Sequence, residues 1–293
     1  MAYEYHPHDT ENISTAFFLN FAFTIIEIIG GLMTNSVAIM SDALHDLGDS
    51  LSLGLAWYFQ KVAKRGRDKT FSDGYKRFSV LGAMINAIVL VVGSVFILQK
   101  TIPRLWQPET PNVQGMFWLA ILGIVVNGAA VLKLKKGSSL NEKVISLHLL
   151  EDVLGWAAVL VGSILMYFFD LPIIDPLLSI GITTFILTNV YRSLKTVLNI
   201  VLQAVPTDID IKKMKTDFVQ KYSEIQSIHD LHTWTMDGEY NILTMHIVLK
   251  ENQMITDLSQ LKKDLRQDLE HCDIQHATIE FETVGEDCEL INC

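Results

Sequence analysis

Apolar residues fall into six long blocks along the first two thirds of the chain, separated by short polar connections. Segments 78–99 and 113–132 carry no charged side chain, and segment 13–34 carries only Glu27. The only ionisable groups in segment 144–169, tyrosine aside, are His148, Glu151 and Asp152, and the only charged one in segment 171–191 is Asp175. Each reaches or approaches the ~20 residues a helix needs to cross hydrocarbon. Segment 36–60 is the sixth candidate, although Asp42, His45, Asp46 and Asp49 crowd into eight residues of it. The pattern predicts six membrane-spanning helices.

Beyond residue 205 the period changes. Alternating, β-branched runs predict strands at 227–236, 240–249 and 274–283, with Asp237-Gly238 turning the first pair. Leu258, Leu261, Leu265 and Leu269 recur at helical spacing and predict a helix at 256–271, and another is expected at 208–222. The fold class expected is therefore membrane α-helical, with six transmembrane helices followed by a small α+β domain of order αββαβ. Residues 1–12 are expected to be a disordered lead, 13–205 the membrane domain, and 206–293 the αββαβ domain with a flexible end.

Charge adds an orientation. The second connection holds seven Lys or Arg and the fourth holds four, against two in the first, third and fifth together. Basic loops stay on the cytoplasmic side, so both termini are expected there. The N-terminus has no cleavable signal pattern, and compact loops suggest a bacterial inner membrane. Residues 206–293 hold 18 acidic and 8 basic side chains, which accounts for the whole formal charge of −10. An acidic tail argues against nucleic acid and favours cations. All three cysteines, Cys272, Cys288 and Cys293, lie there too.

The chemistry concentrates in two short patterns. His45-x-x-x-Asp49 lies in the second block and His148-x-x-x-Asp152 in the fifth. A spacing of four puts each pair on one helical face. Asp42, His45, Asp46 and Asp49 fall within an arc of about 100°. Each ionised group at mid-membrane costs roughly 2.5–3.5 kcal/mol, so something that needs them must be bound there. Two imidazoles and two carboxylates form an N2O2 set suited to tetrahedral Zn2+. Soft sulfur for copper(I) is missing, and oxygens are too few for octahedral Mg2+. Asp46 and Glu151 stand at the stripe edges, and with Asp42 they are supporting candidates. Interhelical hydrogen bonds or a proton relay without metal are the alternative.

With these motifs the chain resembles the cation diffusion facilitator family of zinc/proton antiporters. The resemblance rests on Thr34-Asn-Ser-Val-Ala-Ile-Met-Ser-Asp-Ala43, Gly74-Tyr-Lys-Arg-Phe-Ser-Val-Leu-Gly-Ala83, Asp175-Pro176 and Ile228-His-Asp-Leu-His-Thr-Trp234. It implies a homodimer with one transport site per protomer, and His45 implies a zinc-preferring member. It also implies a regulatory metal site in the tail from His229, His246 and Glu282. His232, His276, Cys288 and Cys293 are weaker candidates there. No cofactor is expected beyond the transported Zn2+ and a regulatory Zn2+ in the tail. Imidazoles must be neutral to bind metal, so protons and metal compete for the same lone pairs.

The chain departs from the family at several points. No His occupies the second connection, where Asp68, Asp73 and Tyr75 stand, and none occupies the fourth. Ser79 stands where many members have Glu, and Arg77 meets a neutral Gln203 at the expected domain junction. Glu27 and Asp175 read as helix packing, and Trp57, Trp106, Trp118 and Trp156 mostly as interfacial anchors. Two other classes compete. A membrane metalloenzyme would need an open coordination position, which four protein ligands deny, and His-Glu-x-x-His is absent. A metal sensor would need tail ligands but no mid-membrane ones. No enzymatic activity is expected.

Overall fold

The computed structural model describes the backbone of residues 8–134 and 140–286, and the side chains of residues 21–132 and 148–286. Six long helices come first: α1 (His8–Thr34), α2 (Val37–Ala63), α3 (Phe78–Trp106), α4 (Val113–Leu134), α5 (Leu140–Phe169) and α6 (Ile174–Val201). Then follow α7 (Ile211–Lys221), β1 (Ile225–Thr235), β2 (Asn241–Leu249), α8 (Ser259–His271) and β3 (Ile274–Thr283). The chain divides into two compact units, one of residues 1–58 and 82–194, the other of residues 59–81 and 195–293.

In the first unit, α4 and α5 pack together along their length. Two apolar clusters hold α2 in place. One joins Phe23 of α1, Ile39 of α2, Met116 and Ala120 of α4, and Trp156 and Val159 of α5. The other joins Ala87 and Leu90 of α3 with Ile186 and Val190 of α6, and Leu44 of α2 packs against it. Trp156 is fully buried and meets Phe23 edge-on, so it is a core residue and not an interfacial anchor. It fits because Gly123 faces it: a Cβ there would lie 2.3 Å from the indole. Trp57, Trp106 and Trp118 are each at least 67% exposed.

Among the described residues, α3, α6, residues 113–132 of α4 and 148–169 of α5 are long and apolar enough to cross a membrane. Phe21–Thr34 of α1 is a shorter apolar stretch. The polar stripe of α2 keeps that helix out of the group. Large apolar side chains cover the outside of these helices, among them Leu32, Phe96, Val125, Val161 and Phe168. Continuous exposed apolar surface of this kind suits lipid and not water.

In the second unit the sheet order is β1-β2-β3, with β1–β2 antiparallel and β2–β3 parallel across α8. Leu243, Met245, Ile247 and Leu249 of β2 face the core, packing with Met214 and Phe218 of α7 and Leu261, Leu265 and Leu269 of α8. Period-two alternation puts Thr244, His246 and Val248 on the other face. Both helices begin three residues later than the sequence predicts. Pro206–Ile209 form a turn, and Asp210 caps α7 by accepting from Lys213 N at 3.0 Å. A turn also precedes α8, where Asp257 N donates to Met254 O. Lys76, next to Arg77, lies 4.4 Å from the Tyr240 ring centroid and so reaches the tail.

Overpacking at the indole gives the first test. Gly123→Ala is expected to destabilise the detergent-solubilised protein by about 1–3 kcal/mol. Gly128→Ala, where a Cβ meets nothing within 4 Å, is expected to leave it unchanged or slightly more stable. Thermal melts followed by tryptophan fluorescence compare the two.

Candidate metal centre

The polar stripe of α2 is carried inward by its apolar flanks. Asp42 and Asp46 are 5% and 2% exposed, and His45 and Asp49 are partly buried beside them. α5 approaches at Gly155, whose absent Cβ would stand 3.4 Å from Asp42 Oδ1. Across that contact His148 Nε2 lies 3.0 Å from Asp49 Oδ2, and His45 Nε2 lies 3.7 Å from the same oxygen. The imidazole rings of His45 and His148 meet edge to face, 5.8 Å between centroids. Phe185 of α6 backs His45 at 5.9 Å. One donor atom each of His45, Asp49 and His148 falls within 4.8 Å of the others, close enough to hold one ion.

Asp152, the fourth predicted ligand, is not in that tight group. It is 4% exposed, and its Oδ1 is buried with no hydrogen-bond partner. It interacts electrostatically with His45, His148 and Asp49, so it stands beside the cluster rather than in it. A buried carboxylate oxygen without a donor is costly unless a cation or proton meets it. Asp42 Oδ2 is in the same position. Glu151 differs from the sequence expectation. It is exposed, because one residue from Asp152 the helix has turned about 100° away.

One member of the surroundings does not stand out in the sequence. Glu27 of α1 is 1% exposed and lies beside Asp46, within electrostatic reach of Asp42 and Asp152. Its signal was its being the single charge in segment 13–34. Asp175 does more than pack: it accepts hydrogen bonds from Ser36 Oγ at 2.6 Å and Val37 N at 2.9 Å.

A second donor group forms on the open face of the tail sheet. β1–β2 register sets His229 opposite His246, and β2–β3 register sets Val248 opposite Glu282. His246 Nδ1 lies 2.6 Å from Glu282 Oε1, and His229 Nε2 lies 3.3 Å from Glu282 Oε2. The three residues offer donor atoms within 4.8 Å of one another. Asp230, missed in the sequence, sits at a β-bulge with φ 44°. It turns back to His246 Nε2 at 3.5 Å and to His232 Nε2 at 2.8 Å. His232 thus touches a neighbour of the group and not the group itself. His276, opposite Ile242 on β3, is outside it. Cys288 and Cys293 lie outside the described residues.

In the second connection, Asp68 organises a turn. It accepts from Tyr75 Oη at 2.6 Å and from the Phe71 and Thr70 amides at 2.8 Å. These bonds, the tyrosine's first, hold its carboxyl below the usual range.

An apolar helical unit that gathers imidazoles beside buried carboxylates, joined to a small mixed-sheet domain, has the build of a membrane metal-ion carrier. Known families agree. A family model described as "Cation efflux transmembrane domain" matches residues 13–202, and "Cation efflux protein, cytoplasmic domain" matches residues 206–284. The chain belongs to this cation efflux, or cation diffusion facilitator, family. It is 34% identical over 272 residues to the cadmium, cobalt and zinc/H(+)-K(+) antiporter of Bacillus subtilis, covering 92% of this chain and 87% of that protein. It is 34% identical over 285 residues to the metal cation efflux system protein CzcD of Cupriavidus metallidurans, covering 94% and 88%. The zinc transporter ZitB of Escherichia coli is 30% identical over 282 residues, covering 94% and 89%.

Proposed function

We propose that this protein exports divalent transition-metal ions, zinc foremost, from the cytoplasm in exchange for protons. The observation that carries the reading is the convergence of His45 and Asp49 on α2 with His148 on α5. Asp152 completes an N2O2 set when an ion draws it in. Metal binding requires neutral imidazoles and ionised carboxylates, and departure of the ion leaves lone pairs that protons occupy. One site therefore serves both cargoes in turn, and the fluxes couple. Four protein donors fill a tetrahedral shell and leave no position for an activated water, so the site transports and does not catalyse.

The rest of the reading follows the same lines. Six helices span the bilayer, α2 among them, because its polar stripe is covered by neighbours and not by lipid. The lysine-rich second and fourth connections keep both termini on the cytoplasmic side. Bacterial relatives support placement in a bacterial cell membrane. Two copies associate as a homodimer, and zinc on His229, His246 and Glu282 regulates them. That tail group is supported by its 2.6 and 3.3 Å contacts.

Reconstitution into vesicles tests the transport claim. Asp49→Ala and Asp152→Ala are each expected to lower zinc transport at least about tenfold while zinc binding by the tail persists. Zinc flux indifferent to an imposed pH gradient would rule out antiport. For the tail, Asp230→Ala in an Asp49→Ala background is expected to weaken zinc binding about 10–100-fold, because the carboxylate supports His246 from behind. Competition against a chromophoric chelator measures it, and unchanged affinity would remove Asp230 from the site.

A further inference from the structure

We propose that Asp175 is a positioning residue for transport: from α6 it caps the N-terminus of α2 and so sets where His45 and Asp49 stand. This rests on reading His45, Asp49, His148 and Asp152 as the transport site.

The first turn of any helix leaves amide donors without intrahelical partners. In most helices the preceding residue caps its own helix. Here the task is shared with another helix. Ser36, just before α2, accepts from Ile39 N at 3.1 Å in the ordinary way. The same hydroxyl donates to Asp175 Oδ1 at 2.6 Å. Asp175 then takes the two remaining amides, Val37 N at 2.9 Å and Ala38 N at 3.2 Å. Its carboxylate is 1% exposed and faces the positive end of the α2 dipole. Arg104 Nη1 is 3.9 Å away, so the charge is met mainly by the helix end and only secondarily by the guanidinium.

The surroundings fix this cap in space. α1 ends at Asn35, whose φ of 53° lets Ser36 N reach Gly31 O at 3.1 Å and Asn35 N reach Leu32 O at 3.3 Å. Arg104, in the last turn of α3, donates to Asn35 O and Oδ1 at 2.8 and 2.7 Å. It also pairs with Glu109 at 2.6 Å. One turn further along α2, Ser41 Oγ meets Ser179 Oγ at 2.7 Å, and Thr101 Oγ1 meets Ser179 Oγ at 2.9 Å. All three hydroxyl residues are fully buried. Two successive polar layers thus lock α2 to α6 and α3. Asp42 follows Ser41 directly, and His45 lies one turn beyond it. Metal ligands tolerate misplacement of only about 0.2 Å, and a helix transmits a shift at its end along its axis. Loss of the cap therefore reaches the site without touching a ligand.

The test uses full-length protein in vesicles. Asp175→Asn keeps the shape but removes the charge and turns an amide NH2 toward backbone donors. It is expected to raise the KM for zinc at least about tenfold, with the maximal rate within about threefold and tail zinc binding intact. Asp175→Glu, which keeps the carboxylate, is expected to recover much of that loss. Should Asp175→Asn fail to yield folded protein, Ser36→Ala is read instead, with an expected rise of about threefold. A KM within about twofold of the parent in the folded variants overturns the proposal. In that event, lost transport in Asp49→Ala leaves the transport-site reading standing. Retained transport in Asp49→Ala overturns that reading, and the proposal falls with it.

Discussion

Charge buried among apolar helices must be met by opposite charge or by protons, and the rest of this molecule is arranged around that constraint. Glu27, Asp42, Asp46 and Asp152 are each no more than 5% exposed, and Asp49, His45 and His148 adjoin them. Such a concentration of carboxyl groups gives no packing advantage over alanine or leucine, and desolvation counts against every one of them. A cation or a proton is the compensation that such a cluster calls for. Carboxylates and imidazoles gathered in this way suit a divalent ion when deprotonated and protons otherwise, which fits the proposed exchange. Transport needs, in addition, only that access alternate between the two sides.

Placement of the donors depends on apolar contacts that look unrelated to them. α2 is wedged between the cluster around Trp156 and the cluster around Leu90 and Ile186. Those contacts orient its polar stripe toward α5. Small residues permit the approach: Gly123 accepts the indole, and Gly155 lets α5 close on Asp42. Polar contacts at the helix end then set its height. Orientation and height together bring an imidazole and a carboxylate on α2 to an imidazole on α5.

The tail solves a similar problem with different geometry. A strand shows alternate faces, so His246 is directed outward by the same alternation that buries Met245 and Ile247. Register then carries His229 and Glu282 to it from both neighbours. The bulge at Asp230 adds a carboxylate that strict alternation would have aimed elsewhere.

Much of this was legible in the amino-acid order, because period and spacing are local properties. The six long helices, the αββαβ order of the tail, the stripe of α2 and the spacing within each His-x-x-x-Asp motif all follow from side chains near one another in the chain. The grouping of His229, His246 and Glu282 does not follow in that way and is expected only from the resemblance to cation diffusion facilitators. What sequence could not supply is which elements become neighbours. Trp156 reads as an interfacial ring until Gly123 is found facing it. Glu27 reads as packing until it lies against Asp46, and Asp175 until it meets the amides of Val37 and Ala38, 138 and 137 residues away. Glu151 and Asp152 are adjacent in sequence, yet one faces out and the other in. Periodicity determines the face on which a residue lies. Only tertiary packing decides what that face meets, because each such contact joins segments whose separation in the chain carries no information about their distance in space.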